Sequence, residues 1–357
     1  MRILALDVGK SKSVAYQVNT RTGVCGFRTV LTRPAVLGRL FARSRPHRLV
    51  MEVGPMAGWI GDLARSSGVR QVEVANVAHE AWRWRNVKRK TDRDDAVKLA
   101  DLSMSGRLPT VHVPAAATRQ WRGLIGYRVK LVERRTAVKN RIRALLASAG
   151  ETMPRGPSGW SQRTLAYLGA LSGPLTEVGP QDLWRGELAL ELDALGRFEE
   201  QIGTVEARLE TLAAGDRRVG QVQTIPGVGP RLAEHLVALI DDPHRFRSGR
   251  EVSAYVGLVP RQYQSGETER HGRITRRGNR LARRLLVEVA WQAVRYNPRL
   301  RAIYERVHRG SRPRRKVAIV AVARHLAVMA WAMLRDGTTW QAGHGNVPTQ
   351  AAAGSSR

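Results

Sequence analysis

Over the first seventy-five residues, short apolar runs alternate with polar turns at a spacing that predicts strands broken by short helices. Residues 3–8 form one apolar run, and 13–18 and 24–31 follow it. The turn residues Asn19, Thr20, Arg21, Thr22 and Gly23 stand between the second and the third. A helical pattern covers 36–44, a strand 48–53 ends at Gly54-Pro55, a helix covers 57–67, and a further strand covers 69–75. Three strands, helix, strand, helix and strand predict one mixed sheet flanked by helices.

Beyond it the period lengthens to that of helices. Residues 91–105 read as a helix with Thr91 as N-cap, and 106–114 as an extended linker. From 115 to 149, Trp121, Leu124, Ile125, Leu131, Val132, Val138, Ile142 and Leu145 keep helical spacing. A second long helix, 184–213, carries Leu188, Leu195, Ile202 and Leu209 every seven residues, with Phe198, Val205 and Leu212 at the complementary position. A Gly/Pro-rich stretch, 150–180, separates the two. They form either an antiparallel coiled coil (or dimerisation arm) or part of an ordinary helical bundle. Near residue 220 a last domain begins, in which Ile225-Pro226-Gly227-Val228-Gly229-Pro230 leads into a helix over 232–240. That turn is either a helix-hairpin-helix-like element, with backbone N–H groups suited to a phosphate, or a simple tight turn. The apolar segment 317–334 is interrupted by Arg324 and His325 and reads as a buried helix rather than a membrane span.

The expected architecture is therefore α/β plus α. A mixed-sheet domain covers 1–110, long helices 111–218, a mainly helical domain 219–340 and a disordered tail 341–357.

Charge narrows the function. Sixty Lys and Arg face thirty Asp and Glu in 357 residues, a formal net charge of +30. Such a surface repels itself until something anionic neutralises it, and nucleic acid is the natural partner. The lone cysteine, Cys25, excludes an intrachain disulfide and a Cys-rich zinc site, and its apolar alternating surroundings predict a core position. An acidic residue at position 7 comes too early for a secretory signal, so the expected location is cytoplasmic, on the nucleoid, with no membrane partner.

The candidate chemistry is carboxylate chemistry. Asp7 and Glu52 each end an apolar strand, where a side chain can reach solvent and substrate. Asp92 and Asp95 lie three apart at a helix start and share a face, while Asp94 points elsewhere. Taken singly, each has a structural explanation: Asp7 as a turn cap, Asp92, Asp94 and Asp95 as acids favoured by the helix dipole. Together they form a hard-oxygen set suited to Mg²⁺ or Mn²⁺, of the kind that assists phosphoryl transfer.

These residues also carry a resemblance. Ala5-Leu6-Asp7-Val8-Gly9-Lys10, Met51-Glu52-Val53-Gly54 and Lys90-Thr91-Asp92-Arg93-Asp94-Asp95-Ala96 resemble the successive acidic motifs of one insertion-sequence transposase family. Its members join an N-terminal RuvC-like (RNase H-fold) DEDD domain to a C-terminal serine domain. Ile225-Pro226-Gly227-Val228-Gly229 and the run from Tyr255 to Gly266 resemble the second domain, with Gln264 a minor departure. The resemblance covers roughly residues 1–110 and 220–295. It implies that Asp7, Glu52, Asp92 and Asp95 bind Mg²⁺ and that Ser265 is a nucleophile acting on donor and target DNA. It further implies guidance by a bridge RNA, and dimers that assemble into tetramers.

Unaided, Ser265 beside Gly266 in a polar loop reads as a turn residue, with only His271 nearby as a base. Arg270, Arg273, Arg276, Arg277, Arg280, Arg283 and Arg284 follow it, and Arg312, Arg314, Arg315 and Lys316 form another cluster. Arginine forks match phosphate oxygens, and such contacts carry no sequence information. Trp82, Arg83, Trp84 and Arg85 either stack on bases or place two tryptophans in the core. Two rival readings remain: a metal-dependent nuclease or junction resolvase in which water attacks, and a non-enzymatic nucleic-acid-binding protein on a degenerate nuclease fold.

Overall fold

The computed structural model describes residues 1–77, 79, 91–154, 159–265 and 268–341. The tail expected at 341–357 falls outside them from 342 onward. The chain divides into two compact units, Met1–Arg119 and Gln120–Arg357.

The first unit is built on a five-stranded sheet of β1 (Arg2–Val8), β2 (Lys12–Asn19), β3 (Cys25–Leu31), β4 (Arg48–Glu52) and β5 (Gln71–Ala75), in the order β3-β2-β1-β4-β5. β1 runs antiparallel to β2 and parallel to β4, and β4 runs parallel to β5, so the sheet is mixed, as its spacing predicts. Both faces of the central strands are covered, which is why β1 reads as a continuous apolar run. Leu4, Leu6, Leu49 and Met51 pack on α1 (Pro34–Ser44) and α2 (Ala57–Ser66) through Leu37, Phe41 and Ile60. Ile3, Ala5 and Val50 point the other way, onto Ala96, Leu99 and Ala100 of α3 (Asp92–Met104). The segment expected to be a linker runs extended beside β5, with Val111 N–H donating to the Val74 carbonyl at 2.8 Å and Asn76 N–H to Pro109 at 2.7 Å.

Cys25 is a correction: it is exposed. β3 is an edge strand with most of its residues in solvent, so its alternation does not report a buried face.

The second unit is mostly helical. α4 (Ala116–Ser148) and α6 (Leu183–Ala214) run antiparallel, joined by Arg128–Glu206 at 2.6 Å, Arg135–Glu199 at 2.9 Å and Lys139–Glu199 at 3.0 Å. Ile142, Leu145 and Leu146 meet Leu188 and Leu195 along their far end, where α5 (Gln162–Leu171) adds Leu168. That short helix lies inside the Gly/Pro-rich stretch and is not evident from the sequence.

α7 (Arg217–Gln223) leads through the Ile225–Gly229 turn into α8 (Pro230–Ile240), which is buried on every side over its last nine residues. α9 (Gly249–Tyr255) precedes a hairpin of β6 (Pro260–Ser265) and β7 (Thr268–Ile274), and α10 (Arg280–Tyr296), α11 (Pro298–His308) and α12 (Arg315–Asp336) complete the unit. α12 is apolar and long enough to cross a membrane by length and composition. It packs against α7, α8, α9, α10 and α11, and that central position accounts for its apolar character.

His235 of α8 is only 5 % exposed. Burial pushes its imidazole down to about 4, with Asn279 opposing and the Arg122 cation reinforcing the shift. A depressed native value means that the folded protein binds fewer protons than the unfolded chain between about 4 and the ordinary histidine value near 6.5. The contribution is full above that window and is lost as pH falls through it, on the order of 3 kcal/mol. His235→Leu is therefore expected to flatten the fall in melting temperature between pH 6.5 and 4, followed by circular dichroism. An unchanged acid limb would contradict the assignment.

Candidate active site

Asp7 is the residue after Leu6 on β1, and Glu52 the residue after Met51 on β4, and Leu6 and Met51 are partners in the parallel register. The two acids therefore occupy the next rung. Side chains alternate along a strand, so Asp7 shares a face with Ile3 and Ala5, and Glu52 with Val50. That is the face on which α3 lies.

The direction of α3 follows from its C-terminal anchor. Ser103 Oγ donates to Glu73 at 2.6 Å, and Arg48 at the start of β4 donates to the Ser103 hydroxyl at 3.0 Å and carbonyl at 3.1 Å. With that end held over the strand starts, the N-terminal end of α3 lies towards the strand ends that carry Asp7 and Glu52. Asp95 is 7 % exposed on the packed side of the first turn, and Asp92, the first residue of the helix, is exposed. Asp94 has a different task. It closes a capping box, accepting from the Thr91 N–H at 2.9 Å while its own N–H donates to the Thr91 hydroxyl at 3.3 Å. The helix N-terminus favours all three negative charges.

The backbone thus brings Asp7, Glu52 and Asp95 to one end of one face, with Asp92 beside them at the helix start. Their donor chemistry, carboxylate oxygen throughout, fits a hard divalent cation. Among the described residues, no three Asp, Glu, His or Cys side chains stand close enough together to hold a metal ion.

Ser265 belongs to the second unit. It is the last residue of β6 and pairs with Thr268, so it ends a strand rather than sitting in the loop that its polar neighbours suggest. Arg270 and His271 lie on β7 opposite Tyr263 and Gln262.

The base of this hairpin is a tight backbone crossing. Gly257 before β6 and Gly278 after β7 have φ of 71° and 94°. A Cβ on Gly257 would stand 1.8 Å from the Arg277 carbonyl oxygen, and one on Gly278 would stand 2.0 Å from that of Tyr255. Arg283 ties the crossing together, one terminal nitrogen donating to the carbonyls of Val256 at 3.2 Å, Arg277 at 3.3 Å and Gly278 at 3.2 Å. Burial, then the cations of Arg276 and Arg280, lower its guanidinium below the usual arginine range. Nothing in the sequence separates Arg283 from the arginines around it; only the three carbonyls do.

Arg273, Arg276, Arg277 and Arg280 are exposed, and Arg284 pairs with Glu133 at 3.2 Å. Trp82, Arg83, Trp84 and Arg85 lie outside the described residues.

Comparison with known proteins places both halves. A family model described as Transposase, DEDD_Tnp_IS110, matches residues 4–150, and one described as Transposase IS116/IS110/IS902 family matches 220–305. The transposase for insertion sequence element IS1111A of Coxiella burnetii is 33% identical over 262 residues, which is 71% of this chain and 69% of that protein. A Pseudomonas aeruginosa protein called "Probable family 20 transposase" is 32% identical over 257 residues, 71% of this chain and 75% of its own. The transposase for insertion sequence element IS1328 of Yersinia enterocolitica is 29% identical over 258 residues, 70% of this chain and 74% of its own.

A methyl group at either crossing glycine meets backbone oxygen at a positive φ. Gly257→Ala and Gly278→Ala are each expected to lower stability by at least about 1–3 kcal/mol. Gly123→Ala, on the open surface of α4 with nothing within 4 Å, is expected to raise it by roughly 0.5–1 kcal/mol. Urea unfolding compares the three, and an alanine tolerated at 257 or 278 would remove the crossing as an account of the hairpin.

Proposed function

The chain belongs to the IS116/IS110/IS902 family of insertion-sequence transposases, and on that premise we propose that it breaks and rejoins DNA strands with a metal-binding carboxylate site and a serine nucleophile. The observation that carries the reading is the placing of Asp7 and Glu52 on one rung of a parallel pair, with Asp95 and Asp92 at the N-terminal end of the helix on that face. Asp7, Glu52, Asp92 and Asp95 are the residues that would hold Mg²⁺ or Mn²⁺. A divalent cation there would neutralise phosphate charge and stabilise the leaving oxygen.

Ser265 supplies the nucleophile. Its hydroxyl loses a proton and bonds to phosphorus, the bond from phosphorus to the departing strand oxygen breaks, and that oxygen takes up a proton. The resulting phosphoserine ester conserves the bond, so a strand hydroxyl attacks it in turn, frees Ser265 and rejoins the DNA without ATP. The base of the hairpin that carries Ser265 is tied to the rest of the second unit by Gly257, Gly278 and Arg283, which supports a fixed place for the strand.

The net charge of +30 supplies the phosphate affinity. Phosphate contacts position a duplex without reading it, so in this reading target choice falls to a bridge RNA that pairs with donor and target DNA. In this reading the protein works as a dimer that assembles into a tetramer.

Ser265→Ala is expected to abolish a covalent protein–DNA adduct while leaving divalent-cation binding intact, as seen on denaturing gels and by calorimetry. Normal recombination by the alanine variant would show the serine assignment to be wrong.

Asp7→Asn and Asp95→Asn are expected to remove strand exchange yet keep nucleic-acid affinity, which should itself fall steeply with added salt. Full exchange by these variants, or in EDTA, would end the metal reading. Sequencing RNA that copurifies with the protein, then assaying recombination with and without it, tests the guide.

A further inference from the structure

Away from the acidic end and the hairpin, α10, α11 and the start of α12 together carry an aromatic ladder. The rings of Trp291 and Tyr304 lie 6.3 Å apart at 59°, Tyr304 stacks on His308 at 5.1 Å and 14°, and the Arg315 guanidinium lies 4.7 Å over Trp291. Three elements contribute to one chain of ring contacts, in which Tyr304 and His308 are stacked and Trp291 is tilted against Tyr304. Ala290, Ala293 and Leu300 are fully buried beneath it, and Trp291 and Tyr304 pack against that core. The rings rest on the rim of the core and are all partly exposed. Their N–H and O–H groups make no hydrogen bond to described protein atoms.

The surroundings are strongly positive. Residues 295–316 hold nine Arg and Lys against a single acid, Glu305. None of the nine forms an ion pair with a carboxylate among the described residues. The field reaches inward: burial, then the cations of Arg324, Arg306 and Arg299, push His325 down to about 4. Aromatic faces in reach of uncompensated guanidinium groups suit an anion that also carries flat rings.

We infer that Trp291, Tyr304 and His308 form a stacking platform for the bases of an unpaired nucleotide strand, with the neighbouring arginines on its phosphates. A duplex offers base edges and keeps its base faces stacked on one another, so ring-on-base contact selects single-stranded nucleic acid. The stack reads no particular sequence, since every base has a π-face. This rests on the proposed nucleic-acid function and adds to it a place for strand that is not base-paired, RNA or displaced DNA.

The test uses the full chain and three labelled probes at fixed salt: a short oligouridine, a short oligodeoxythymidine and a DNA duplex. Tyr304→Leu and His308→Ala are each expected to weaken at least one of the single-stranded probes about 5- to 100-fold, with duplex affinity changed less than about twofold. Tyr304→Phe keeps the ring face and should bind as the parent does. Should Tyr304→Leu fail to melt cooperatively, His308→Ala at the end of the ladder decides. Photocrosslinking of 5-bromouridine or 5-bromodeoxyuridine probes should label the peptide holding Tyr304 and His308.

Weakening confined to oligouridine assigns the platform to RNA, weakening confined to oligodeoxythymidine assigns it to displaced DNA, and weakening of both supports either strand. Unchanged single-strand affinity, an equal loss on the duplex, or crosslinks only elsewhere would overturn the platform. Asp7→Asn, assayed in parallel, separates the two readings. If it retains strand exchange while the ladder variants still lose single strands, the carboxylate mechanism falls and the platform stands.

Discussion

The first unit depends on the parallel register between β1 and β4. Because strand side chains alternate, the pairing that sets Leu6 beside Met51 on the α1 and α2 side also sets Asp7 and Glu52 on the α3 side. A slip of one residue in β1 would turn Leu4 and Leu6 away from their core and Asp7 into it. The same apolar contacts that stabilise the sheet thus hold the acids at its rim. α3 adds Asp95 to that rim only because Ser103 and Arg48 fasten its other end over the strand starts. A buried carboxylate on the first turn is tolerable there, since the helix dipole favours negative charge where α3 begins.

Charge governs the second unit in the opposite sense. Within the α4–α6 pair, arginine and lysine find glutamate partners and act as structural ties. After β7 such ties become few, Arg284–Glu133 being one of them. Arg276 and Arg280 crowd Arg283, and the α11 region carries cations with hardly an acid among them. A folded protein keeps such repulsion on its surface where an anionic partner relieves it. Arg283 is the exception, since it donates to three carbonyls and spends its hydrogen bonds on holding the hairpin base rather than on solvent.

Strong periodicity made much of this legible in advance. The runs that became β1, β2, β4 and α3, and the long α4 and α6, end within a few residues of where their spacing places them. Cys25 misled because alternation is silent about whether a strand lies inside a sheet or at its edge. The β6–β7 hairpin read as a polar loop because both its strands are short and polar, lacking the apolar face by which strands are recognised. α5 is hidden for a similar reason, a ten-residue helix set among glycines and prolines.

By itself the sequence determined the types of the elements, the excess of cations and the identity of the carboxylates, since each is a property of local composition and spacing. It also carried the family motifs, which are local strings. Tertiary structure alone decided that Asp7 and Glu52 share a rung, that α3 points Asp95 to the same end, and that Arg283 ties off the hairpin carrying Ser265. It likewise decided that Trp291, Tyr304, His308 and Arg315 meet in one chain of ring contacts. These are placements of residues from a few to more than eighty positions apart, and they exist only once the register, helix direction and helix packing have been chosen by burial of apolar surface.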